Sequence, residues 1–271
     1  MTAPATDKLA GRTLIRTVPL PSRGLLYPNL PDGQVRVGAI TSREQKIFAG
    51  SGSGARSKID IIIDNCVDSR GLASDDLLLA DRLFCLFQVR SLASTKYGFK
   101  YRCPACGSIN PRVEIDLLQD LHVKELTQQF LEPYRIKLPL SGKSLGLRHF
   151  RGKDEQAVAD WATKHAGTMP AAEGDIAYYY RLSRHVTEVD GQSIPLGAAT
   201  VVDLVQHLEG PDVFAFLQAL DDMAFGFVLD LTMTCPNSRC RSEEEVGMPF
   251  TAEFFRPRIS SAGTGAPGNP A

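Results

Sequence analysis

The sequence predicts an α+β protein: an N-terminal extended arm and helical region, a four-cysteine β element, and a helical insertion between its two knuckles. Three observations lead there. Two short cysteine pairs, Cys103-Pro104-Ala105-Cys106-Gly107 and Cys235-Pro236-Asn237-Ser238-Arg239-Cys240, each follow a strand-like run and close a proline-assisted loop. Apolar residues recur at helical spacing ahead of the first pair and between the two pairs. Four prolines and the alternating Gln34-Val35-Arg36-Val37 fall between Arg12 and Gly38, where no helical period is present.

In chain order, residues 1–38 read as the extended arm, with the first 11 residues a disordered tail. Residues 39–96 read as the helical region. Thr41-Ser42-Arg43-Glu44 fits a capping box, in which a hydroxyl and a carboxylate each satisfy a free amide, and a helix follows to about Ala49. Gly50-Ser51-Gly52-Ser53-Gly54 then predicts a loop. Ile59, Ile62, Ile63, Cys66 and Val67 share one helical face. Ser74-Asp75-Asp76 predicts the cap of a helix that is apolar nearly all round through Leu77, Leu78, Phe84 and Phe87, so it belongs in a core or against a partner.

From residue 97 the pattern turns to strands. Residues 97–102 lead into the first knuckle and 112–117 lead out. Residues 225–234 enter the second knuckle and 246–254 leave it. The β element therefore takes residues 97–120 and 225–256. Its insertion, 121–224, begins with a hairpin of 134–140 and 144–150 around Ser141-Gly142-Lys143. Helices are predicted at 154–165, 173–186, 198–208 and 212–223, with Asp190-Gly191 a turn. Residues 257–271 are rich in glycine, proline and small residues and predict a disordered tail.

Two hairpins meeting through cysteine knuckles make a zinc-ribbon-like element. Cys103, Cys106, Cys235 and Cys240 can supply four thiolates to one tetrahedral structural zinc, leaving no coordination position open for chemistry. Gly107 lets the backbone fold behind the metal with amides facing sulfur. Closing the loop over residues 107–234 costs about 4 kcal/mol plus a constant. A structural zinc contributes about 10–16 kcal/mol, so the clip outweighs the loop. A redox Cys-x-x-Cys would open a helix after a strand, whereas Gly107-Ser108-Ile109-Asn110-Pro111 breaks one. Cys66 and Cys85 lie in apolar helical runs and read as reduced core thiols.

Composition narrows the function. The 271 residues are 43% hydrophobic and 23% charged, ordinary for a globular protein able to bury a core. Net charge is −1 and no long block of Lys and Arg occurs, which argues against binding a phosphate backbone. No apolar run reaches membrane-spanning length, the first residues carry no signal-peptide core, and six cysteines make no disulfide scaffold, so a reducing cytoplasm is expected. Gly142-Lys143-Ser144 lacks the earlier glycine of a phosphate loop, and Gly50, Gly52 and Gly54 do not match a dinucleotide fingerprint. His122, His149, His165, His185 and His207 have no ligand spacing. Asp75-Asp76, Asp154-Glu155 and Asp221-Asp222 read as caps and solvated faces, since adjacent helical residues diverge. Ser22 has no nucleophile elbow. Glu243-Glu244-Glu245 reads as a solvated turn, and Tyr178-Tyr179-Tyr180 as a mix of burial and contact. No catalytic constellation emerges, so the protein is expected not to be an enzyme.

Leu20-Pro21-Ser22-Arg23-Gly24-Leu25-Leu26-Tyr27-Pro28 resembles the opening of baseplate proteins from contractile-tailed bacteriophages, of the T-even baseplate hub assembly type. Thr41-x-x-Glu44, Asn65-Cys66-Val67, Asp75-Asp76-Leu77-Leu78-Leu79-Ala80-Asp81-Arg82, Tyr97-Gly98-Phe99-Lys100-Tyr101 and Arg151-Gly152-Lys153-Asp154-Glu155 follow in the same order. The resemblance spans residues 20–155 and the second knuckle, and leaves 156–225 uncovered. It implies a non-enzymatic structural or assembly protein of the baseplate hub that binds other tail proteins, in the host bacterial cytoplasm during assembly or in the tail itself. The arm is then an expected interface: Leu20, Pro21, Leu25, Leu26 and Tyr27 would meet another tail protein or another copy of this chain by strand addition. Packing of the arm on its own helical region is the competing expectation. A zinc-ribbon nucleic-acid-binding module and a thiol oxidoreductase are the alternative functions.

Overall fold

The computed structural model describes residues 8–49, 58–166, 175–249 and 254. Strand β1 (Ile15–Pro19) runs antiparallel to β2 (Gln34–Gly38), with Val18 opposite Val35. The intervening loop folds back on itself, the Leu20 amide donating to Gly33 O at 2.7 Å. Its two ends pass so closely that a Cβ on Gly24 would lie 2.7 Å from the Gly33 nitrogen, and both residues have positive φ. Only glycine fits such a crossing.

Helix α1 (Ser42–Ala49) starts as its capping box predicts: Glu44 accepts from the Thr41 amide at 2.8 Å, and Thr41 Oγ1 accepts from Arg43 N at 3.3 Å. Residues 50–57, which include the glycine-rich loop, lie outside the described residues. Helix α2 (Lys58–Cys66) buries Ile62, Ile63 and Cys66, while Val67 belongs to β3 (Val67–Asp68), the third strand beside β2. Ser74–Asp76 forms a short 3-10 turn, and α3 (Leu79–Ser91) is buried on nearly all sides. The expected cap differs here. Leu77 and Leu78 are extended, because Leu78 bridges Arg151 and the Leu77 carbonyl accepts from Gly152 N at 3.0 Å. Tertiary pairing overrides the local cap.

Strands β4 (Lys96–Arg102) and β5 (Ile109–Asp116) form the first hairpin. A short β6 (His122–Lys124) leads into the insertion. There β7 (Tyr134–Lys137) and β8 (Ser144–Leu147) pair as predicted, followed by α4 (Gly152–His165). The helix predicted over 173–186 is shorter within its described residues, 173 and 174 lying outside them. It comprises α5 (Tyr178–Ser183), while Val186 opens β9 (Val186–Val189), which turns through Asp190-Gly191 into β10 (Gln192–Ser193) and pairs with β8. The β-branched Val186-Thr187 and the free edge of β8 favour strand over helix. Tyr180 stacks on Trp161, while Tyr178 and Tyr179 are exposed. Helices α6 (Ala199–Gln206) and α7 (Gly210–Met223) stand where expected.

The run 225–234 divides. β11 (Gly226–Val228) pairs with β6, and only β12 (Asp230–Thr234) pairs with β13 (Glu243–Gly247). Glu243, Glu244 and Glu245 are therefore strand, not turn. Glu243 and Glu245 point outward and Glu244 inward, a period of two in which charge sits on the solvated side. Of the strand predicted over 246–254, Val246 and Gly247 are strand and Met248 and Pro249 are not, while 250–253 lie outside the described residues. The tail expected at 257–271 lies outside them as well, as do residues 1–7 of the tail expected at 1–11; residues 8–11 instead form a turn that buries Leu9.

Two large apolar cores result. The first joins the arm to the helical region: Val18, Leu20 and Tyr27 pack with Ile62, Phe87, Leu117 and Phe254. Phe87 contacts Phe227 and Phe254 at centroid distances of 4.7 and 4.8 Å. The second lies in the insertion, where Leu145, Leu147 and Val186 meet Val201, Phe216 and Met223. The arm is thus no separate unit but one side of the first core. No helix among the described residues is long and apolar enough to cross a membrane.

Candidate metal centre

Each knuckle is built by its own backbone. In the first, Cys103 N donates to Ser108 O at 2.9 Å and Gly107 N to Cys103 O at 2.8 Å, with Gly107 at φ 73°. In the second, Cys235 N donates to Ser242 O at 2.8 Å, and the amides of Cys240 and Arg241 close onto Asn237 O. Asn237 N faces Cys235 Sγ at 3.4 Å, an amide aimed at sulfur, and its side chain reaches across to Ser108 Oγ.

The structure brings Cys103, Cys106, Cys235 and Cys240 together, with all four sulfurs within 4.8 Å of one another. Cys106 Sγ and Cys235 Sγ are 3.5 Å apart. A tetrahedron with metal–sulfur bonds of ~2.3 Å has edges of ~3.8 Å, so the set closes on one cation with small shifts. Tyr101, Val113, Met233 and Val246 pack around it from both hairpins.

The surroundings treat the clustered thiols differently. The Tyr101 hydroxyl is buried without a hydrogen-bond partner, and burial together with the nearby Cys103 sulfur raises its pKa. Cys103 held by a metal would offer it an acceptor. Hydrogen bonds from the Ser108 hydroxyl and amide hold the Cys106 thiol down to about 6, while burial pushes Cys235 up to about 12. Four clustered thiols do not ionise together on their own, because each charge opposes the next. A bound cation removes that conflict. Cys66 and Cys85 stand apart in the first core as free thiols, and burial raises both, Cys66 to about 12.

The arm residues have a different fate from the one expected. Leu20, Pro21 and Tyr27 are buried in the chain's own core, which corrects their assignment to a partner. Tyr27 Oη donates to Asp81 at 2.7 Å and accepts from Leu78 N at 2.6 Å, and Ser22 N donates to Asp81 at 3.0 Å. Leu25 and Leu26 remain partly exposed, lining a shallow depression with Arg23, Pro28 and Pro31.

Sequence reading missed the buried ionic groups. Asp81 is wholly buried on α3, and burial lifts its carboxyl to about 6. Asp154, expected as a cap or on a solvated face, does cap α4 through Arg151 N at 2.8 Å, but it is fully buried and pairs with Arg148 and Arg184. Gly152 was a usable signal: a Cβ there would lie 2.2 Å from Arg82 Nη1, so the helix start must be glycine to pass the buried Arg82–Asp60 pair. Compared with known proteins, the chain matches no family model, no curated protein and no solved structure.

Proposed function

We propose that this chain is a non-enzymatic structural or assembly protein of a contractile-phage tail baseplate, in the hub region, whose two hairpins form a zinc-ribbon-like unit around one structural zinc. The observation that carries the metal reading is the convergence of four thiols from two loops far apart in sequence. Four sulfur ligands of this spacing suit zinc, which needs no particular geometry beyond the tetrahedron and prefers thiolate in closed structural sites. When bound, the metal supplies a clamp. The protein's own residues do the rest: Gly107 and Asn237 shape the loops, and the Asn237 amide faces the Cys235 sulfur.

The baseplate assignment rests on the ordered segments from Leu20 to Glu155, two of which have clear structural work. Leu20 to Pro28 supplies the loop that carries Tyr27 to Asp81. Arg151 to Glu155 supplies the tight helix start beside Arg82. Action is through contacts with other tail proteins, in the host cytoplasm during assembly. A mass-spectrometric inventory of purified particles and of baseplate intermediates from infected cells tests it. Peptides of this chain should co-fractionate with baseplate intermediates, and their absence from every tail fraction overturns the assignment. Metal analysis of the purified protein should find one zinc per chain, and a protein purified free of zinc whose β12–β13 hairpin is nonetheless folded overturns the zinc.

A further inference from the structure

The two hairpins pack with their inner residues together: Tyr101 and Val113 from one, Met233 and Val246 from the other. Side chains alternate along a strand, so the outer faces must point in opposite directions. Those faces differ in charge. On β4–β5 the exposed positions hold Lys96, Lys100, Arg102 and Arg112 against Glu114, with Ile109 and Pro111 beside them. On β12–β13 they hold Asp230, Glu243 and Glu245 with threonines and no base. Lys96 and Arg112 have acidic neighbours on their own hairpin, Asp116 and Glu114. Lys100, Arg102, Asp230, Glu243 and Glu245 make no ion pair among the described residues.

We propose that the acidic face of β12–β13 docks on the basic face of β4–β5 of a second copy of this chain. The spacing fits: Glu243 and Glu245 are two residues apart on a strand, as are Lys100 and Arg102, giving each pair a separation of about 7 Å. Like faces repel, so a symmetric face-to-face dimer is disfavoured. A contact between two different patches is head-to-tail and propagates until it closes as a ring or runs on as a filament. Solvated charges supply orientation and rate more than strength, so the association is weak alone and sensitive to salt. The inference rests on the hairpin packing and does not depend on the baseplate reading.

Sedimentation of the full chain tests it, first across ~50 to ~300 mM salt. Wild type should self-associate at low salt and dissociate as salt rises. Glu243→Lys with Glu245→Lys, and separately Lys100→Glu with Arg102→Glu, should each weaken association at least about tenfold. Mixing the two variants should restore it, since one is then basic on both faces and the other acidic on both. Unchanged metal content and melting temperature establish that each variant is folded. If Arg102→Glu disturbs the adjacent knuckle, Lys100→Glu with Arg112→Glu replaces that pair. Three results overturn the proposal: a wild type monomeric at low salt at its highest soluble concentration, failure of folded variants to complement, or binding of duplex DNA through Lys100 and Arg102 by a chain that stays monomeric.

Discussion

The core around Phe87 and the centre around Cys103 both tie together segments far apart in the chain, by opposite means. The first draws Val18, Tyr27, Ile62, Phe87 and Leu117 into one apolar interior and seats Phe254 there as well. Arg90, itself buried, donates to the Phe254 carbonyl. Among the described residues the second has three buried members, Tyr101, Cys103 and Cys235, with partly exposed neighbours. Two two-stranded hairpins with so little apolar area are marginal on their own. Hydrophobic burial suffices where many elements can pack on one helix. Where the two hairpins meet with little apolar area, four thiols that could hold a metal ion stand at the junction.

That contrast can be broken most severely at the arm. Deleting residues 1–28 removes β1, Leu20 and Tyr27 from the first core and should abolish cooperative folding, read by circular dichroism and thermal melting. A truncated chain with an unchanged melting temperature would mean that the arm is an appendage after all. Next in size is loss of the metal. Cys235→Ser, or a strong chelator, should remove much of a binding energy of about 10–16 kcal/mol from the hairpin pair. By hydrogen exchange, β12 and β13 should then lose protection while α3 keeps it. Equal loss in both regions would show that the metal holds the whole fold.

Tyr27→Phe sharpens the comparison from the other side, since it leaves Asp81 Oδ2 and the Leu78 amide buried and unpaired. A cost of about 3 kcal/mol in a urea titration is expected, with metal content unchanged. His185 probes the seam between the first core and the insertion. Its ring packs on Phe150, and burial holds it near 4. The unfolded chain therefore takes up a proton near pH 6.5 that the folded chain refuses until about 4. Stability falls as pH drops through that window, by about 2 kcal/mol after allowance for partial exposure. His185→Gln should remove this slope relative to wild type and leave the two equal in pH dependence above 6.5. A parallel profile for both proteins would refute it. The smallest effect belongs to Cys66→Ala: about 1 kcal/mol of lost packing and no change in bound metal. A fall in metal content would reopen the ligand assignment.

Local chemistry made much of this protein legible in its sequence. Each of the two cysteine knuckles, the Thr41–Glu44 cap, the hairpin around Ser141-Gly142-Lys143 and helices α4, α6 and α7 follows from residues within a few positions of one another. Knuckles, caps and turns are short-range devices, and their residue types announce them. Only the tertiary structure decided the rest. Leu77 and Leu78 became extended because Arg151 and Gly152 pair with them. Val186 became strand because β8 offered an edge. Glu243 to Glu245 joined a strand because β12 stood alongside. Leu20 and Tyr27 left the solvent because Asp81, 54 positions beyond Tyr27, offered an acceptor inside a core that neither segment could form alone. Burial and strand pairing are set by partners distant in the chain, and a window of sequence carries no record of which partner will arrive.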